Sequence, residues 1–380
     1  MKREQQKKVK KKIEGFLQGI VFLSCSVLNE TMWREVLLFY FFVKTASGVL
    51  IEKSDYFQIY WNIPSFQCRP FKIPFTDLTK KYGIIQNEND DFRGDKISIL
   101  YDPGNFPAIL ENSETDKIFL RNGGVPQQGN LSLHLEIFKE SLQELIINNN
   151  FSGIAIIDFE SWRPIFRQNF GTLTPYKEIS YKIEETLHPT WTQPKIKLEA
   201  QKRFELTGRD FVEETLLIAK EMRPKAYWGY YAYPYCFNMS PGNNNTKCSQ
   251  EVMDENDRLN WLFSSSTAYF PSIYLSEKQQ SLSDNLKLIE GRIQEAIRIL
   301  NNQNKMLIKP KILPYVWLKY RDTQRYMPLD DLNSVIKLLK ALKVDGFIIW
   351  GSSNDVSSRI KCNLLYHYVN DVLGPIISPN

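Results

Sequence analysis

The chain has 380 residues, 43% of them apolar, and so can bury a large core as one domain or two; α/β barrels often run to this length as a single unit. Its formal charge of +5 comes entirely from residues 1–48, which hold nine Lys/Arg against four Asp/Glu, while the other 332 residues carry 39 of each sign. That balance argues against nucleic acid or another polyanion recognised by bulk charge, so an acidic substrate would have to be met by locally placed Arg and Lys.

Residues 1–48 read as a leader. A basic run, Lys7 to Lys12, precedes an apolar stretch, Phe16 to Leu28, and a second one, Val36 to Val43, follows Met32-Trp33-Arg34. Met32 to Gly48 has the layout of a signal peptide: an Arg, an apolar segment, then the small residues Thr45-Ala46-Ser47-Gly48. A true start at Met32 and secretion are therefore expected, with residues 49–380 as a single domain. Neither apolar stretch reaches the roughly 20 residues that cross a bilayer, so no stable membrane span is expected.

Seven short apolar runs follow: Tyr56–Trp61, Ile97–Tyr101, Gly153–Asp158, Ala226–Tyr231, Phe270–Leu275, Ile312–Leu318 and Gly346–Trp350. Helix-period segments lie between and after them at Leu131–Asn148, Glu199–Met222, Leu286–Leu300, Leu329–Leu342 and Cys362–Leu373. Thr172 to Trp191 reads as a connection. Asn238 to Asp257, rich in Asn, reads as an irregular loop, either over the site or merely solvated. Strands alternating with helices predict a parallel sheet. The runs end in polar and aromatic residues: Trp61-Asn62, Tyr101-Asp102, Asp158, Tyr230-Tyr231, Tyr274, Trp317 and Trp350. An open sheet would string these along a line. A (β/α) barrel of seven or eight strands would gather them at one mouth.

Beyond Cys25 in the leader, the chain keeps four cysteines: Cys68, Cys236, Cys248 and Cys362. An even number in a chain expected to be secreted suggests two disulfides, for which the sequence allows three pairings. Zinc is the weaker reading, because no paired C-x-x-C spacing or His cluster occurs. Sequons at Asn130, Asn150, Asn238 and Asn244 are candidate glycosylation sites. No metal or nucleotide motif appears, and no cofactor is expected.

Gly153-Ile154-Ala155-Ile156-Ile157-Asp158-Phe159-Glu160 carries the chemistry. The apolar, mostly β-branched run reads as a buried strand. Residues two apart on a strand share a side, so Asp158 and Glu160 leave its end together with Phe159 turned away. Two carboxylates that close cannot both ionise freely, and one with a raised pKa suits a general acid. The bland alternative is a strand end whose acids meet water or pair with Arg163.

The segment Ile156 to Asn169, IIDFESWRPIFRQN, resembles the active-site signature of the animal hyaluronidases, glycoside hydrolase family 56, and most of all their insect venom members. The resemblance extends to Tyr60-Trp61-Asn62-Ile63-Pro64, Tyr101-Asp102-Pro103-Gly104, Arg121-Asn122-Gly123-Gly124-Val125-Pro126, Trp228 to Cys236, Pro271-Ser272-Ile273-Tyr274 and Asp345 to Ser353. It implies a distorted TIM-like barrel, disulfides pairing Cys68 with Cys362 and Cys236 with Cys248, and a secreted, monomeric enzyme. Its substrate would be hyaluronan or a related glycosaminoglycan such as chondroitin. The implied reaction is retaining hydrolysis of the β-1,4 bond from N-acetylglucosamine to glucuronate. In it Glu160 is the acid and Asp158 orients the substrate's acetamido group, which is the nucleophile. By matching position, Tyr231 and Tyr274 would bond the acetamido group and the departing sugar, and Trp350 would pack on the N-acetyl methyl. Tyr101, Asp102 and Ser353 would line the groove. Arg163 and Arg292 are candidate cations near it. Tyr230, Tyr233 and Tyr235 read as core, and His134, His188 and His367 as structural. The alternative is a non-catalytic, secreted hyaluronan-binding paralogue.

Overall fold

The computed structural model describes residues 57–112, 117–240, 242–303 and 309–378, all within one compact unit that begins at Tyr56. The leader, with Met32 and Cys25, lies outside the described residues. In chain order the principal elements are β1 (Gln58–Asn62), α1 (Thr76–Lys81), β2 (Ile97–Tyr101), β3 (Ala108–Asn112), β4 (Lys117–Arg121), α2 (Leu131–Leu145) and β5 (Ile154–Asp158). They continue with α3 (Thr174–Leu187), α4 (Gln193–Met222), β6 (Tyr227–Tyr230), α5 (Gln250–Arg258), α6 (Asn260–Ser265), β7 (Ala268–Tyr269) and α7 (Leu282–Asn302). The last are β8 (Lys311–Ile312), β9 (Tyr315–Trp317), α8 (Leu329–Ala341), β10 (Gly346–Trp350) and α9 (Arg359–Tyr368).

Parallel ladders run β9-β10-β1, β2-β5-β6 and β7-β8. Single bridges continue them: Tyr231 to Phe270 joins β6 to the β7 run, Ser272 to Tyr315 joins that run to β9, and Tyr60 to Ile85 extends β1 on its free side. Between Ile85 and β2 the side chain of Asn87 takes over, accepting from Lys96 N and Ile97 N and donating to Ile97 O. This is the expected distorted barrel, its seven strands supplemented by Ile85. The run at Ile312–Leu318 is split because Pro314 has no N–H for the ladder. At Gly229 of β6 a Cβ would stand 2.1 Å from Ala268 O, so only glycine permits that approach.

Side-chain alternation sorts two cores. Tyr60, Ile97, Ile99, Ile154, Ile156, Ala268, Phe270, Leu313, Tyr315 and Ile348 fill the barrel interior. Ala155, Ile157 and Phe159 point the other way, into the larger core beneath the helices. Asp158 therefore continues the inward row of Ile154 and Ile156.

Three expectations need correction. Thr172–Trp191 is not a mere connection, for it contains α3, with Tyr176, Ser180 and Glu184 buried. Two of those three are polar, so the buried face does not read as an apolar stripe; Glu184 pairs through one carboxylate oxygen with Arg203 Nη1 on α4 at 2.6 Å. Helix α4 begins at Gln193, with Pro in its first turn, rather than at Glu199. Asn238–Asp257 is irregular only in its first half; Ser249 caps α5, which carries the rest. The β3–β4 hairpin was not anticipated, because its charges and the exposed Ile118, Phe119 and Leu120 do not alternate as a half-buried strand should.

Both disulfides form with the pairing that the resemblance implied, Cys68–Cys362 across 294 residues and Cys236–Cys248 across 12. Asn130, Asn150 and Asn244 are exposed. Asn238 is the exception among the sequons: it is fully buried, and its Nδ2 donates to Thr246 O, Lys287 O and Leu288 O. A glycan on that nitrogen is incompatible with this packing.

Candidate active site

Asp158 ends β5 in register with Tyr101 at the end of β2, and its carbonyl accepts from Asp102 N at 2.7 Å. On the other side Tyr231 N donates to Ile157 O at 2.9 Å. Tyr101, Asp158 and Tyr231 thus come from three neighbouring strands at one end of the barrel. Phe159 turns outward, as strand alternation requires, and stacks on Phe106 with ring centroids 4.0 Å apart. Trp162 meets Phe159 edge-on at 4.9 Å and donates Nε1–H to Pro107 O. This anchoring leaves Glu160, two residues beyond Asp158, exposed in the mouth.

The two acids interact. Burial pushes the Asp158 carboxyl up to about 8, and the negative charges of Glu160 and Asp102 add to the rise. Glu160 is raised as well, by desolvation among the mouth's walls, with the Arg163 guanidinium opposing it. At neutral pH the pair holds a proton, and that proton belongs to both groups rather than to one.

The segment after Glu160 is held rigidly. Asn169 accepts from Arg163 N and donates back to Arg163 O; Gln168 and Arg167 bond Glu255 on α5. Arg163 itself donates to Gln168 O and lies over the Tyr235 ring at 4.7 Å. Among the described residues it makes no ion pair with Asp158, so the bland strand-end reading loses its partner. Arg292 donates to Ser272 O next to the tyrosine wall, and burial pulls it down to about 10.

An aromatic wall faces the acids. Tyr274 lies 6.4 Å from Tyr231, 5.5 Å from Trp350 and 6.2 Å from Trp317, centroid to centroid, and Trp317 meets Trp350 edge-on at 5.3 Å. Trp350 Nε1 donates to Tyr101 OH at 3.1 Å and ties the wall across the mouth to β2. Ser353 stands just beyond β10, exposed, and accepts from Gln67. Asp102 is already engaged, both carboxylate oxygens bonded to Arg121 at 2.6 and 2.8 Å.

Sequence reasoning passed over Trp317 as a site residue, although its strand-end position is the signal that finds it. It passed over two supports as well. Buried Asp355 accepts from Trp317 Nε1 at 3.0 Å and pairs with Lys319 at 2.7 Å, which fixes that ring; the local Ser352-x-x-Asp355 capping box marks it only as a helix start. Arg121 was noticed only as part of a motif. The structural reading of His134 holds: its Nδ1 accepts from Asn105 N, its Nε2 bonds Thr215, and burial takes it down to about 3.

A family model described as hyaluronidase matches residues 46–379. The chain belongs to the hyaluronidase family. It is 45% identical over 322 residues to a hyaluronidase of Apis mellifera, covering 84% of this chain and 83% of that one. It is 40% identical over 323 residues to the inactive hyaluronidase B of Vespula vulgaris, with 84% and 93% covered. The crystal structure of bee venom hyaluronidase in complex with a hyaluronic acid tetramer superposes with a TM-score of 0.82 at 44% identity, covering 85% of this chain and 99% of that chain. Membership of this glycoside hydrolase family accounts for an acid pair in an aromatic mouth: ring faces pack on sugar faces while acids bond hydroxyl and amide groups.

Proposed function

We propose that this hyaluronidase-family chain hydrolyses hyaluronan internally, at the β-1,4 bond from N-acetylglucosamine to glucuronate, with retention and with the substrate's acetamido oxygen as nucleophile. The observation that carries this reading is the shared origin of the two acids. A glycosidase that uses both an acid and a protein nucleophile or base sets its carboxylates on opposite sides of the scissile bond. Asp158 and Glu160 leave one strand on one side, two residues apart, which suits the substrate-assisted exception. Glu160, open to the groove, protonates the leaving oxygen and then takes a proton from water. Asp158 accepts the acetamido N–H and stabilises the cyclic cation. Although burial by itself favours the proton on Asp158, an amide N–H bonded to its carboxylate favours the ionised form and moves the shared proton to Glu160.

Tyr231, Tyr274, Trp350 and Tyr101 line the pocket for this sugar, and Trp317 extends it. Ser353 and Asp102 lie along the groove rim, with Arg163 and Arg292 as the nearby cations. Secretion is supported by two disulfides and by the exposed sequons, and no helix of the described residues is long and apolar enough to cross a membrane. The chain is proposed to act as a monomer without a cofactor.

The test is an assay for new reducing ends and polymer size on hyaluronan. Wild type shortens the polymer; Glu160→Gln, folded by circular dichroism, does not. Retained cleavage by that variant would refute the assigned acid. A relative named inactive favours one second reading, a secreted paralogue that binds hyaluronan without cutting it. Binding with no product at any pH from acid to neutral would establish that reading instead.

A further inference from the structure

We propose that Arg121 is a positioning residue for this reaction: by clamping Asp102 beside Asp158, it sets the pH window in which the Asp158–Glu160 pair works. The inference rests on the functional reading above. Arg121 closes β4, paired with Ala108 of β3. All three of its nitrogens are used: Nη1 and Nη2 form the bidentate pair with Asp102, and Nε donates to Phe106 O at 2.8 Å. A guanidinium fork matched to both carboxylate oxygens is the strongest ion-pair geometry available to a side chain. Asp102 sits at φ 43°, in the left-handed region that Asp enters more readily than most residues but still at some cost. Here it is held at both ends, by Arg121 at the carboxylate and by Asp158 O at its N–H.

The consequence is electrostatic. Three carboxylates meet at the mouth: Asp102, Asp158 and Glu160. Asp102 is among the charges that raise Asp158. Arg163 acts on Glu160, leaving Arg121 as the cation bonded to Asp102. The neighbouring tyrosines Tyr101, Tyr231, Tyr274 and Tyr315 are all shifted upward by burial and stay neutral through the working range. His134, which also feels Arg121, is held neutral. With Arg121 in place the Asp102 charge is partly offset, so it adds less to the rise of the acid pair than a bare carboxylate would. The productive state carries one proton on the pair, so uncovering the Asp102 charge raises both of the pair's ionisations and moves the bell-shaped profile upward.

The experiment compares kcat/KM against pH on hyaluronan for wild type, Arg121→Met, Asp102→Asn and the double variant. Arg121→Met should shift the optimum up by about half a pH unit, a modest Coulomb effect at a few Å through a partly solvated mouth. Asp102→Asn should shift it down, and the double variant should fall near wild type. Lower rates with an unmoved optimum, or both single variants moving the same way, would overturn the proposal. If Arg121→Met does not fold, the near-isosteric Asp102→Asn carries the test by its downward shift. If wild type cuts no hyaluronan, the functional reading fails but the inference remains testable. Carboxyl titration of the full chain labelled with 13C aspartate should then place Asp158 lower in Asp102→Asn than in wild type, and an unchanged titration would refute it.

Discussion

Replacing Asp158 by Asn should abolish catalysis and stabilise the fold, and the stabilisation should depend on pH in one direction. The Asp158 carboxyl ionises at 3.8 in a free chain and at about 8 in the folded one. Below pH 3.8 both states are protonated and the residue costs nothing. As pH rises through the interval the unfolded chain ionises while the folded chain does not, so stability is lost up to about pH 8. At about 1.36 kcal/mol per pH unit the full interval corresponds to ~6 kcal/mol in a site closed to water. Asp158 is half-buried at an open mouth and shares its proton with Glu160, so solvent screening leaves about 2 kcal/mol. Asn has the shape of the protonated carboxyl and does not titrate. Urea unfolding of both proteins at pH 4 and pH 8 should therefore give nearly equal stabilities at the lower pH and a variant more stable by about 2 kcal/mol at the higher. Parallel pH dependences would mean that Asp158 is not held out of water as described, and the electrostatic account of the site would fall.

Trp317→Ala should raise KM for hyaluronan about fivefold with a smaller effect on kcat, since an aromatic wall contributes binding of ~1 kcal/mol rather than proton transfer; an unchanged KM would remove Trp317 from the groove. Replacing Cys68 and Cys362 together by Ser should cost up to about 5 kcal/mol in chemical unfolding, because that bond closes a loop of 294 residues, whereas loss of the Cys236–Cys248 bond should cost about half as much. Peptide mass spectrometry of secreted protein should find Asn238 unmodified, with any glycan on Asn130, Asn150 or Asn244. A glycan on Asn238 would contradict its burial.

What the sequence alone determined was local. The β-branched run before Asp158 has a period of two, which dictates that Asp158 and Glu160 share a side and that Phe159 does not, whatever the rest of the chain does. Strand-end aromatics, the alternation of strands and helices and the signature around Glu160 were legible for the same reason: each is written within one segment. What only the tertiary structure decided involves partners far apart in the chain. The fork of Arg121 on Asp102 spans 19 residues and the Trp317–Asp355 bond spans 38. The buried face of α3 can carry Glu184 because Arg203 of a different helix pairs with it, so its burial could not be inferred from hydropathy. How strongly the acid pair holds its proton is likewise a property of the mouth: the closeness of Glu160 is local, but the desolvation by neighbouring strands and the charge of Asp102 at β2's end exist only once the barrel assembles.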